Sequence, residues 1–221
     1  MAGFKAHMAF GIVTAVVWSA AIVIFSLLSP ALVPLVFIAT LVGSFLPDLD
    51  SDEGIPLRLL LITLSIISGL NVGYIVFQNE ERSLMEAILY GVLYMLFIYF
   101  IIGGIFKKIT VHRGMFHSFP AVLLTILLAL SFFNYLILDP ALKVVLSLSL
   151  GIGYLCHLIL DEMNSIVNLG GIPFVPNKAL GSALKLYSNN LKITIAIYFI
   201  IIVLAYYCYP VIVSFYESLQ T

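Results

Sequence analysis

This chain has little charge. Asp, Glu, Lys and Arg make up 10% of its 221 residues, where soluble domains run near about 25%. Apolar residues make up 62%, against about 45–50% in soluble domains. The mean hydropathy is +1.17. Together these exclude an ordinary soluble domain. The formal net charge is −1, so no nucleic-acid partner is expected. Cysteine is almost absent, with only Cys156 and Cys208. No disulfide framework can be built from two residues expected on opposite membrane sides, so both read as small buried side chains. No internal repeat or low-complexity tract stands out. Alternating ten-residue strands are missing too, which excludes a membrane barrel. The first apolar run, from about Met8, is too long for a signal-peptide core and has no clear small-residue cleavage site. It is expected to stay as a helix.

What the chain does have is long apolar runs. Seven stand out, at about 7–28, 30–46, 57–78, 84–106, 119–138, 142–160 and 191–215. A spanning helix needs roughly 20 apolar residues, and helices satisfy their own backbone groups in lipid. The expected fold is therefore all-α, a polytopic transmembrane helical bundle of about seven spans, in one domain over residues 1–221. Ser29-Pro30 separates the first two runs, and Pro34 falls in the first turns of the second, where proline is tolerated. Those two runs are expected to form a tight helical hairpin. The longest polar stretch, 161–190, contains Gly170-Gly171, Pro173, Pro176 and Gly181. It reads as an ordered loop or re-entrant segment rather than a separate domain.

Basic residues give the orientation. With seven spans, the N-terminus and the loops near 47–56, 107–118 and 161–190 share one side. That side holds Lys5, Arg58, Lys107, Lys108, Arg113, Lys178, Lys185 and Lys192, eight of the ten Lys and Arg. Arg82 and Lys143 fall on the other. The N-terminus is expected in the cytoplasm and the C-terminus outside.

Polar residues are scarce, and the histidines are not scattered. All four fall in short motifs at the ends of apolar runs, beside an Asp-rich segment: Ala6-His7, Leu46-Pro47-Asp48-Leu49-Asp50, His112-Arg113-Gly114-Met115-Phe116-His117-Ser118 and His157-Leu158-Ile159-Leu160-Asp161. The expected topology puts all of them on the cytoplasmic face. His157 and Asp161, four apart, point from one helix face, a spacing used by metal ligands and also by helix-end hydrogen bonds. His112 and His117 would diverge by about 140° on a straight helix, and Gly114 allows a turn that brings both inward. Arg113 suits an anionic group or a membrane headgroup. Ser118 suits the N-cap of a helix starting near Phe119. Asp48 and Asp50 repel each other unless a cation or proton intervenes. A calcium loop fails, since Glu53 and Leu59 stand where such a loop needs Gly and Glu. Glu162 points away from Asp161 and could serve as a nearby base. Glu86 is expected at the outer end of its run, without a functional part.

Four imidazoles and several carboxylates exceed the needs of one tetrahedral ion. A mixed His/Asp shell suits zinc, manganese or iron better than calcium or magnesium. The expected ligands are His7, Asp48, Asp50, His112, His117, His157 and Asp161, holding one or two divalent ions, zinc or manganese first. Asp48, His117, Arg113 and Asp161 are the expected catalytic group.

In their order and spacing these motifs resemble a known family, the membrane-bound metal-dependent hydrolases also described as LexA-binding, inner-membrane-associated hydrolases. The resemblance runs over about residues 6–176 and includes Gly171-Ile172-Pro173. Ala6 stands where Gly or Thr is usual, and Ser51-Asp52 where a His is common. The resemblance implies a hydrolase of the inner membrane with a metal site at these residues. Its LexA-binding aspect finds no basic or helix-turn-helix-like soluble segment here. A site at headgroup level with an Arg suggests a lipid or lipid-linked phosphoester as substrate and membrane lipids as partners. Two other readings use the same residues: a metal or proton-coupled transporter, and a scaffold in which the cluster only ties helices together.

Overall fold

The computed structural model describes residues 4–50, 55–79, 82–104, 117–166, 184–187, 190–218 and 220. Within them are seven α-helices: α1 Phe4–Ile24, α2 Val33–Gly43, α3 Ile55–Phe77, α4 Leu84–Leu96, α5 Phe119–Asn134, α6 Pro140–Ile166 and α7 Leu191–Ser218. Each apolar run of the sequence becomes one of them. A π-helical turn, Phe97–Ile102, extends α4.

Only five of the helical stretches have the length and apolarity of a span: Lys5–Ile24, Leu57–Phe77, Leu84–Ile102, Pro140–Asn164 and Leu191–Ser218. Pro30–Gly43 and Phe119–Asn134 are shorter. Among the described residues, the seven expected full spans are thus five long helices and two shorter apolar ones. Proline and polar punctuation cut the short ones. The 3-10 turn Pro30–Leu32 and Pro34 delay the start of α2, and α2 stops at Gly43 before Ser44. Ser118 caps α5, its side chain accepting from the Ala121 N–H at 3.4 Å, with Pro120 in the first turn.

The helices fall into two compact units. Met1–Pro47 and Arg113–Thr221 form one, Asp48–His112 the other. In the first, α6 is the hub: it packs on α1, α2, α5 and α7, and 67% of its most apolar window is buried. α1 and α2 form the expected hairpin. α1 ends in a Schellman motif, with Leu27 N–H donating to Ile22 O and Ser26 N–H to Val23 O, both at 3.1 Å. Ser26 takes the left-handed position at φ 53°, where glycine is usual. The chain then reverses, and Ile22, Val36, Leu142 and Val145 close one end of the unit, with Leu27, Leu28, Leu32 and Phe133 around them. Toward the other end, Val122, Tyr154 and Leu158 hold α5 against α6 beside Leu46.

α2 and α6 approach almost backbone to backbone. A Cβ added at Gly43 would fall on the Leu150 backbone, 2.8 Å from its carbonyl carbon. One added at Gly153 would fall on the Thr40 carbonyl oxygen, 2.8 Å from Ser44 N. Small residues give membrane helices this contact, because lipid supplies no hydrophobic drive between them. Polar pairs reinforce α1 against α6. Trp18 Nε1–H donates to Ser149 Oγ at 2.9 Å, and Thr14 Oγ1 lies 3.0 Å from Cys156 Sγ.

In the second unit, α3 and α4 pack through glycines as well. A Cβ at Gly91 would lie 2.9 Å from Gly69 O, and one at Gly73 3.2 Å from Ala87 O. Ser83 starts α4 with a full capping box: Glu86 N–H donates to Ser83 Oγ at 3.2 Å, and Ser83 N–H to Glu86 Oε2 at 2.8 Å. Arg82 Nη1 adds an ion pair to Glu86 at 2.9 Å. Glu86 thus closes the capping box at the start of its helix.

Candidate metal centre

Each short helix has one end at the histidine cluster. α2 ends there at Ser44, and α5 begins there at Ser118. Their ends supply polar backbone groups inside an otherwise apolar bundle. His7 comes in from the first turns of α1, and His157 and Asp161 from one face of α6. His117 precedes the α5 cap, where Phe119 N–H donates to Lys185 O at 3.1 Å and Ser118 bridges Lys185. That pairing holds the backbone beside His117 extended.

The structure brings four of the expected residues together. His7, His117, His157 and Asp161 are 3%, 2%, 1% and 6% exposed, so solvent does not satisfy them. Asp161 is the centre. His7 Nε2 lies 3.3 Å from its Oδ1. His117 Nε2 and His157 Nε2 each lie 3.6 Å from its Oδ2. These separations are long for hydrogen bonds to a carboxylate, which run about 2.7–2.9 Å. They are close to the edge of a coordination tetrahedron. Ligands about 2.0–2.1 Å from an ion stand roughly 3.3–3.4 Å apart. His117, His157 and Asp161 offer three ligand atoms within 4.8 Å of one another.

The tautomer of His157 is fixed by its surroundings. Its Nδ1 lies 2.8 Å from the Ser44 carbonyl oxygen. A carbonyl only accepts, so Nδ1 carries the hydrogen. In the neutral ring, Nε2 then presents a lone pair to a carboxylate oxygen that also presents lone pairs. Such a pairing is favourable only with a cation or proton between the two. A carbonyl on the far nitrogen is the usual way proteins orient a metal-ligating imidazole. The Ser44 carbonyl is available because α2 ends: Ser44 N–H still donates to Thr40 O at 3.1 Å, but its own carbonyl lies past the last turn.

The His7 and His157 rings stack, with centroids 3.8 Å apart and planes 10° from parallel. His117 meets His157 edge-on at 5.8 Å and 70°. His7 Nδ1 is buried and has no hydrogen-bond partner among the described residues.

Asp48 is half-buried in the 3-10 turn Leu46–Asp50 and is the first residue of the second unit. The Asp50 side chain, His112 and Arg113 lie outside the described residues. Glu162 is partly exposed next to Asp161. The Ser44 carbonyl was not among the expected groups. A backbone oxygen has no residue-type signal, and only the early stop of α2 at Gly43-Ser44 hints at it.

The family model of the YdjM inner membrane protein family matches residues 1–219. The chain belongs to that family. No curated protein and no solved structure matches it.

Proposed function

We propose that this member of the YdjM inner membrane protein family is a metal-dependent hydrolase with its divalent ion, zinc or manganese, at His117, His157 and Asp161. The observation that supports this reading is His157. Its Nδ1 is held by the Ser44 carbonyl at 2.8 Å, and its Nε2 is turned to Asp161 Oδ2 at 3.6 Å, the relation of two ligands of one ion. A divalent ion held there would lower the pKa of a bound water and polarise a phosphoryl or carbonyl oxygen. The protein's own groups do the rest. Asp161 holds negative charge against the ligand imidazoles. Burial of the four side chains keeps bulk water from competing. Arg113, placed by the motif His112-Arg113-Gly114, binds an anionic part of the substrate. Asp48, Asp50 and His112 belong to the proposal through their sequence motifs.

The substrate class that fits is a lipid or lipid-linked phosphoester taken from the cytoplasmic face. A water oxygen bonds to phosphorus, the phosphorus–oxygen ester bond breaks, and the departing alcohol oxygen takes a proton. The N-terminus is cytoplasmic and the C-terminus outside in this reading, from the bias of basic residues. The test is phosphate release from lipid phosphoesters by purified protein loaded with zinc or manganese. Activity that survives both His157→Ala and Asp161→Ala would sink the reading.

A second reading is metal or proton-coupled transport. The part-buried pairs Thr14–Cys156 and Trp18–Ser149, between α1 and α6, favour it, since they lengthen the polar seam away from the histidines. Metal-dependent uptake into liposomes, without hydrolysis of any phosphoester, would select it.

A further inference from the structure

We infer that the centre takes two cations bridged by the Asp161 carboxylate, one on Oδ2 with His117 and His157, the other on Oδ1 with His7. The inference rests on the metal-centre reading above and adds ion number and the role of His7.

Three observations lead to it. The first is the stack. An imidazole binds an ion along the nitrogen lone pair, which lies in the ring plane, at about 2.0–2.1 Å. The His7 and His157 planes are 10° from parallel with centroids 3.8 Å apart. Planes so nearly parallel do not meet within bonding reach of the nitrogens. An ion midway between the rings would sit over their faces, away from both lone pairs. His7 and His157 therefore cannot serve one ion in plane.

The second is the division of Asp161. His7 Nε2 faces Oδ1 at 3.3 Å, while the other two imidazoles face Oδ2. Each oxygen has its own nitrogen partner at ligand-to-ligand spacing. A carboxylate placed in this way joins two ions through its two oxygens. The spacing agrees, because two-metal sites hold their ions about 3.5–4 Å apart, and the rings that would carry them are 3.8 Å apart.

The third is the tautomer of His7. The Ser44 carbonyl sets that of His157, but His7 Nδ1 is buried with no partner among the described residues. The described acceptor that faces His7 is Asp161 Oδ1, 3.3 Å from Nε2, longer than a charge-assisted hydrogen bond. An ion held between Nε2 and Oδ1 would leave the His7 hydrogen on Nδ1. A pair held at this spacing would supply charge stabilisation to a hydrolytic displacement, phosphoester cleavage included.

The experiment is a manganese(II) titration of the purified full-length protein in detergent. Bound manganese per chain is read by elemental analysis after gel filtration, and the electron paramagnetic resonance spectrum is recorded on the same samples. Wild type is expected to bind two ions per chain, with the broadened spectrum of an exchange-coupled pair. His7→Gln keeps a polar side chain of similar reach beside Asp161. It is expected to bind one ion, with the spectrum of an isolated manganese. One ion per chain in wild type, or two uncoupled ions unaffected by His7→Gln, would overturn the bridged pair while leaving a mononuclear centre standing. No bound ion in any sample, zinc included, would overturn the metal-centre reading as well. Monodisperse elution of His7→Gln on gel filtration shows that a lost ion is not a lost fold.

Discussion

Gly153→Ala tests whether the α2–α6 contact sets the chemistry of His157. The new methyl would fall on the Thr40 carbonyl oxygen, 2.8 Å from Ser44 N. Both are backbone atoms, so no side-chain rotation relieves the clash. The last turn of α2 has to move, and with it the Ser44 carbonyl that holds His157 Nδ1 at 2.8 Å. Two effects should appear. Overpacking of a tight interface costs about 1–3 kcal/mol, seen as a lower melting temperature in detergent. Loss of the carbonyl that orients a ligand imidazole weakens metal binding about 10–100-fold, or roughly 1.4–2.7 kcal/mol. Affinity is measured by competition with a chromogenic chelator, and stability by thermal melting of the metal-free protein. Gly104→Ala, with no heavy atom within 4 Å of its added Cβ, should change neither. A Gly153→Ala protein that melts lower but binds metal as wild type does would refute the reasoning, since the carbonyl would then have no hold on the ligand.

Removing metal with a chelator should lower thermal stability, because an ion bound only by the folded state at 100 times its Kd stabilises by about 2.7 kcal/mol; equal melting curves with and without chelator would count against the centre. Trp18→Phe removes the donor to Ser149 Oγ and should cost about 0.6 kcal/mol, the mean for such bonds between membrane helices, with metal content unchanged. Ser26→Gly relieves the left-handed position at φ 53° and should raise stability by about 1 kcal/mol, read as a higher melting temperature. In intact cells a membrane-impermeant maleimide should label Ser218→Cys but not Lys5→Cys; the reverse pattern would invert the proposed orientation, and the buried native Cys156 and Cys208 keep the background low.

Much of the bundle could be read from hydropathy, because helix formation in an apolar run follows from the need to satisfy the backbone. Local chemistry was legible as well. Ser118 caps α5, Pro34 sits at the start of α2, and the four-residue spacing of His157 and Asp161 places both on one face. Helix length was less legible. Residues 30–46 are apolar throughout, yet α2 covers only Val33–Gly43, since hydropathy counts side chains and not where the backbone stops winding. The π-helical turn Phe97–Ile102 has no side-chain signature either. The site divides in the same way. Motifs named the histidines and Asp161, but their relation depends on a backbone carbonyl and a ring stack. Those arise from packing of segments distant in the chain, as with Ser44 and His157, which are 113 residues apart.

That separation has a consequence for biogenesis. His7 leaves the ribosome first, on α1, and its partners wait on α5 and α6. The Ser44 carbonyl is in place as soon as the α1–α2 hairpin forms, but it has nothing to orient until α6 is inserted. The polar end of α2 is unmet until then as well. α6 is thus the keystone of assembly. Before it arrives the first hairpin exposes its polar end to whatever machinery inserts membrane proteins, and once it is seated the same contact closes that end and completes the centre.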